Sequence, residues 1–106
     1  MYVLTTFVPQ DYTEKLLQAL FDVGAGDYGK YDHCAFVCSG EGRFRPKRGS
    51  QPFLGTTGED QRVVENRIEL IVRDEHLDSV LAALHRTHPY ETPAIYLYKM
   101  DERALR

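Results

Sequence analysis

The chain contains no tryptophan, only two cysteines and only five prolines in 106 residues, and it has no long apolar run. Each scarcity excludes something. Two cysteines cannot supply the disulfide framework of a small secreted scaffold, and a chain of this length buries a core without one. No apolar stretch approaches the roughly 18 residues that cross a bilayer, and no basic segment followed by an apolar region opens the sequence. Excess positive charge is missing too. Thirteen Lys and Arg against sixteen Asp and Glu give a formal net charge of −3, which provides no broad cationic face for a phosphate backbone. A hydrophobic fraction of 42% with 27% charged residues is that of an ordinary folded chain, which excludes disorder. The expectation is one domain spanning residues 1–106, cytoplasmic, with neither membrane nor nucleic acid as partner.

What is present is a regular alternation of patterns. Tyr2 to Val8 is rich in β-branched and aromatic residues and is stopped by Pro9, which predicts a strand. Asp11, with Glu14 three residues on, has the spacing of a capping box, and Tyr12, Leu16, Leu17 and Leu20 line one face of a helix that ends at Gly24. Tyr31 to Ser39 reads as a second strand. Alternation there sets Cys34, Phe36 and Cys38 on one face and His33, Ala35 and Val37 on the other. Val64 to Val72 reads as a third, its apolar Val64, Ile68, Leu70 and Val72 sharing a face with Asn66, opposite Glu65, Arg67 and Glu69. Asp74 is placed to cap a second helix carrying Leu77, Val80, Leu81 and Leu84 at i, i+3, i+4 and i+7. Ala94 to Met100 predicts the last strand, and Asp101 to Arg106 a polar tail that frays.

The order strand, helix, strand, strand, helix, strand predicts an α+β, ferredoxin-like βαββαβ sandwich with both helices on one face of the sheet. The opposite face should carry His33, the charged row of the third strand and one alternating set from Ile95 to Tyr98, a half-apolar surface open to an oligomeric partner or a ligand. Gly40 to Gln61 separates strands two and three by far more than a hairpin turn needs. Its five glycines and two prolines predict several tight turns or an extra hairpin, with Phe44 and Phe53 as anchors.

Four segments carry candidate chemistry. His88-Pro89-Tyr90-Glu91-Thr92-Pro93-Ala94 is a stiff turn, because each proline fixes its own φ and drives its predecessor into an extended conformation. It either displays His88, Tyr90 and Glu91 to a ligand or metal ion, or closes the helix with His88 while Glu91 bonds nearby backbone. Arg43, Arg45, Lys47 and Arg48 place four cations in six positions, as an anion-binding loop or as a solvated one. Gly55-Thr56-Thr57-Gly58 offers backbone N–H groups to an anion. Cys34 and Cys38 lie roughly 13 Å apart if the segment is a strand, too far for a disulfide or a shared metal, so they read as buried core thiols. Gly24-x-Gly-x-x-Gly29 has the spacing of a dinucleotide fingerprint but follows a helix and precedes a strand, the reverse of what that motif requires. There is no nucleophile elbow, Walker loop or paired-histidine zinc motif, so an enzyme is the weaker class. An RNA-recognition role is disfavoured by the acidic charge and by the lack of an aromatic-rich third strand.

The run Gly24-Ala25-Gly26 with Tyr28, Gly29, Tyr31, Cys34 and Phe36, then Gly40 to Pro46, Pro52 to Gly58 and His88 to Ala94, resembles the domain inserted in bacterial YqfO-like proteins, dinuclear-metal proteins known as GTP cyclohydrolase I type 2 homologues. The likeness covers nearly the whole chain. In that family the two-metal site is built by the flanking segments, so neither that site nor cyclohydrolase activity is expected of these residues. The inserted domain resembles CutA and PII signalling proteins, which implies a ferredoxin-like trimer. A segment much like His88 to Pro93 occurs in CutA proteins, which are associated with divalent cations. The resemblance thus implies a self-associating regulatory or ligand-binding module, dimeric or trimeric. Its expected ligand is a small anion, held by Arg43, Arg45, Thr56, Thr57, His88, Tyr90 and Glu91, or a divalent metal ion on His88 and Glu91. The alternatives are a CutA-like divalent-metal protein and a structural module that binds a separate protein.

Overall fold

Strand β1 (Tyr2–Pro9) runs through the middle of the molecule, flanked on one side by β4 (Ile95–Lys99) and on the other by β3 (Gln61–Val72), which pairs in turn with β2 (Phe36–Phe44). The sheet order is β2-β3-β1-β4 and every pairing is antiparallel. The computed structural model describes residues 1–105. Helices α1 (Thr13–Asp22) and α2 (Leu77–Thr87) cover one face, which gives the ferredoxin-like α+β sandwich that the element order predicts.

Alternation along each strand decides what the helices bury. Leu4, Thr6 and Val8 of β1 and Ile68, Leu70 and Val72 of β3 point inward. They meet Leu16, Leu17 and Leu20 of α1 and Val80, Ala83 and Leu84 of α2 in one continuous core. These are the stripes predicted by helical spacing. Val64 shares the inward face of β3 but lies beyond the helices and is 59% exposed.

Both expected side-chain caps are absent. Each helix is instead entered through a 3-10 turn, Gln10–Tyr12 or Asp74–His76, with no side-chain hydrogen bond at its cap. Asp74 pairs with the Met1 ammonium group. At the far end of α1 the glycine cap forms as expected: Gly24 N–H donates to Phe21 O and Ala25 N–H to Leu20 O, with Gly24 at φ +100°. The C-terminal segment also departs from the expectation of a frayed tail. Glu102–Leu105 forms a 3-10 turn, and Arg103 pairs with Asp101 at 2.6 Å; Arg106 lies outside the described residues.

The largest correction concerns the second strand. Tyr31 to Ala35 do not form a strand of the sheet. Tyr28 and Tyr31 exchange backbone hydrogen bonds across a turn, Cys34 N–H returns to Gly26 O at 3.0 Å, and His33 has φ +54°. His33 therefore lies off the open sheet face and stacks on Phe21, ring centroids 4.4 Å apart. β2 begins only at Phe36, and Phe36↔Glu69 pairing puts Phe36 and Cys38 on the side away from the helices. Cys38 is exposed and Cys34 only partly buried, so neither is a core thiol. Glu41 to Phe44 extend β2 and pair with β3 beyond the last β1 partner. The paired arm projects past the sheet and stretches the molecule to 48 × 24 × 24 Å. The long insertion shrinks to a loop over 45–60 with no strand of its own.

Candidate functional site

The His88 turn is bolted to β1 at both ends. The His88 backbone N–H donates to Leu84 O, closing α2, while its ring Nε2 lies 2.6 Å from Phe7 O and its Nδ1 accepts from Tyr90 N–H at 3.1 Å. This assigns the Nε2–H tautomer. Thr6 Oγ1 holds the other end by donating to Ala94 O at 2.8 Å. The imidazole is 5% exposed, and burial pulls its pKa below the ordinary histidine value, against the opposing pull of the Phe7 carbonyl and Glu65.

So anchored, the turn projects Tyr90 over the end of the sheet. Its hydroxyl donates to Glu65 Oε2 at 2.7 Å. Glu65 is 8% exposed, although it sits on the sheet face that the helices leave uncovered. Its carboxylate lies over Gly42 in β2, where any Cβ would collide with Oε1; glycine at that position is what makes room for it. Burial first and the Glu65 hydrogen bond second push the Tyr90 phenol well above the ordinary tyrosine range.

The 45–60 loop closes the third side. Phe53 packs edge-on against Tyr12 at 5.5 Å and tilts toward Tyr90 at 6.4 Å, while Phe44 approaches Tyr90 at 6.0 Å, so both aromatics anchor the segment as expected. Gln51 N–H donates to Glu91 Oε2 at 2.7 Å and Gly58 N–H to Pro46 O at 2.8 Å. Arm, loop and turn together enclose a cleft of about 410 Å³. Its walls carry the aromatic rings of Phe7, Phe44, Phe53, Tyr90 and Tyr96, and its charged groups are Glu41, Glu65, Glu91 and Arg43. A smaller cleft of about 180 Å³ shares Phe7, Gly42 and Glu65 and reaches Cys38 and Arg67.

Of the residues singled out from the sequence, Tyr90, Glu91 and Arg43 come together on the cleft wall, whereas Arg45, Thr56 and Thr57 are not among its lining residues. His88 stands behind Tyr90 and positions it. His88 and Glu91 do not fit a metal ion as arranged: both imidazole nitrogens are hydrogen-bonded within the chain. Among the described residues no group of three or more His, Cys, Asp or Glu is placed to hold one. Sequence reasoning missed Glu65, Phe7 and Tyr96. The only available signal for Glu65 was the glycine pair Gly40 and Gly42, which becomes legible once the register sets Gly40 opposite it.

The arrangement offers acids and aromatic surfaces; among its wall hydroxyls, Ser50 donates to Lys47 O at 2.6 Å and Tyr90 to Glu65 Oε2 at 2.7 Å, and Thr92 and Tyr96 add two more. A mostly apolar cleft with a few oriented polar groups has the character of a small-molecule site. Among the described residues no helix is long and apolar enough to cross a membrane.

No protein-family model matches the chain. It is 41% identical over 100 residues to a protein of Halalkalibacterium halodurans named GTP cyclohydrolase 1 type 2 homolog, a match covering 94% of this chain and 27% of that protein. A Bacillus subtilis protein of the same name is 38% identical over 99 residues, covering 93% and 26%. The structure of a Bacillus cereus protein related to NIF3 superposes with TM-score 0.82 at 37% identity, over 94% of this chain and 25% of that one. The PII-like protein CutA from Nostoc superposes with TM-score 0.71 over 98% of this chain and 85% of its own; its 15% identity supports a shared fold alone. The chain thus corresponds to one segment, about a quarter of the length, of the proteins named GTP cyclohydrolase 1 type 2 homolog, and that segment is built on the fold of CutA.

Proposed function

We propose that residues 1–106 act as one non-enzymatic, self-associating module in the cytoplasm that binds a small ligand in the cleft between the β2–β3 arm, the 45–60 loop and the His88 turn. The observation that carries this reading is the cleft itself: about 410 Å³, walled by five aromatic rings, with a nearly buried carboxylate held by Tyr90. Sites for small molecules have this character, mostly apolar with a few oriented polar groups. Tyr90, Glu91, Arg43 and Glu65 are the proposed contacts, with His88 setting the position of Tyr90. For an anionic ligand Arg43 is the cation on the wall, and Arg45, Thr56 and Thr57 would contribute only if the loop closed further.

Self-association is proposed through the uncovered sheet face, where Phe36, Tyr96 and Tyr98 are 62%, 48% and 63% exposed. The same exposure favours a second reading, a module that docks a separate protein. CutA from Archaeoglobus fulgidus is named a periplasmic divalent cation tolerance protein, and a divalent ion is the third ligand class to try.

A thermal-shift screen against nucleotides, phosphorylated metabolites, amines and divalent metals, with light scattering on the same samples, tests the proposal. A rise of several degrees for one class, lost in Tyr90→Ala, is the expected result. A flat screen on a well-folded oligomer would remove the ligand-binding reading and leave the interaction module.

A further inference from the structure

The charged residues of the cleft are three carboxylates, Glu41, Glu65 and Glu91, and one guanidinium, Arg43, which already lies 3.9 Å from Glu41. That balance opposes an anion. The aromatic walls act in the same direction, because the face of each ring carries partial negative charge and attracts cations within about 6 Å. Glu65 adds the directional element. It is the one nearly buried acid in the cleft; Oε2 is engaged by Tyr90, and Oε1 has no hydrogen-bond donor among the described residues. Oε1 keeps its access to solvent and faces the cleft as an unengaged acceptor, so a ligand N–H there would gain a charge-assisted bond.

We propose that the cleft recognises an organic cation, a protonated amine or guanidinium on a short apolar body, with its N–H on Glu65 Oε1, its charge balanced by Glu41 and Glu91, and its body among Phe7, Phe53 and Tyr96. The proposal rests on the ligand-binding reading above and names the class of ligand. Gly42 is a specificity element in this account, since it alone lets the Glu65 carboxylate lie across β2.

The test follows backbone amide resonances of the full chain during titration with butylamine and agmatine, set against tetramethylammonium, butanol and inorganic phosphate. The amines should shift the amides of Gly42, Glu65 and Tyr90. Tetramethylammonium, which has the charge but no N–H, and butanol, which has the body but no charge, should each bind at least tenfold more weakly, and phosphate should leave these amides unmoved. Glu65→Gln should weaken butylamine binding at least tenfold; if that variant fails to fold, Glu41→Gln combined with Glu91→Gln carries the same test. A Gly-Arg-Gly peptide presents the same chemistry on a protein chain, and whether it or agmatine binds more tightly tells a partner's side chain from a free small molecule. Equal or stronger response to phosphate or butanol overturns the cationic class while leaving a ligand site standing. Silence toward every amine overturns the inference, and a hit from another class in the thermal screen would still uphold the broader reading.

Discussion

The Tyr90 hydroxyl and Glu65 Oε2, 25 residues apart in sequence, meet at 2.7 Å and tie the His88 turn to the third strand. Tyr90→Phe deletes the only donor, among the described residues, to a nearly buried carboxylate. Leaving such a group unpaired costs about 1–3 kcal/mol, which for a domain of this size lowers the melting temperature by roughly 4–8 °C per kcal/mol. Tyr90→Phe with Glu65→Leu should recover part of that loss, because the stranded charge is gone; the double-mutant cycle measures the coupling.

The same pair sets an alkaline limit. Tyr90 has its pKa raised in the folded state by burial and by Glu65, so its contribution to stability is complete below the ordinary tyrosine value of about 10 and is lost as pH rises above it. Absorbance titration should show a tyrosine phase above the ordinary range, and that late phase should vanish in Tyr90→Phe.

His88 sets an acid limit of opposite sign. Burial lowers its pKa when folded, so its stabilising contribution is present above the unfolded value of about 6.5 and is lost as pH falls through the folded value. Protonation fills Nδ1, which then cannot accept the Tyr90 N–H. Ring-proton NMR should give His88 a midpoint below that of a model histidine. As the pH falls through that midpoint, amide exchange should quicken at Tyr90 before it does in the helices.

Periodicity made both helices legible, because Leu16, Leu17 and Leu20 or Val80 and Leu84 report burial through spacing alone. The two prolines made the His88 turn legible for a similarly local reason. The start and facing of β2 were not, because its parity is set by Phe36↔Glu69 pairing, and nothing local distinguishes an extended Tyr31–Ala35 from the turn that His33 completes at positive φ. Glu65 was placed on the correct face, but its burial comes from Tyr90, a residue the strand pattern cannot see. Half of the candidate site was therefore visible as a motif, and the other half is a product of register.

Two glycines separate stability from site geometry. Gly26 sits at φ +78°, and a Cβ there would lie 2.6 Å from the Cys34 carbonyl oxygen. Gly26→Ala meets rigid backbone in a conformation that costs about 1–2 kcal/mol for any other residue, so melting should drop by several degrees with no selective effect on the cleft. Gly42→Ala meets only the end of the Glu65 side chain, which swings away. Melting should change less, while the late tyrosine ionisation moves to lower pH as the Glu65 contribution is lost.

The uncovered sheet face provides the last test. Phe36 and Tyr98 stand well exposed around a 2.7 Å Arg67–Glu69 ion pair, the mixture of apolar and paired polar surface that an interface between copies would bury. Tyr98→Glu puts an unpaired charge into that contact, so sedimentation velocity should show an oligomer converted to monomer, with unchanged far-ultraviolet dichroism. Val64→Glu is the control, since Val64 is comparably exposed at 59% but on the opposite side of the arm. Dissociation by Val64→Glu alone would move the interface to the projecting arm, and a wild-type chain that sediments as a monomer at every concentration would remove self-association from the proposal.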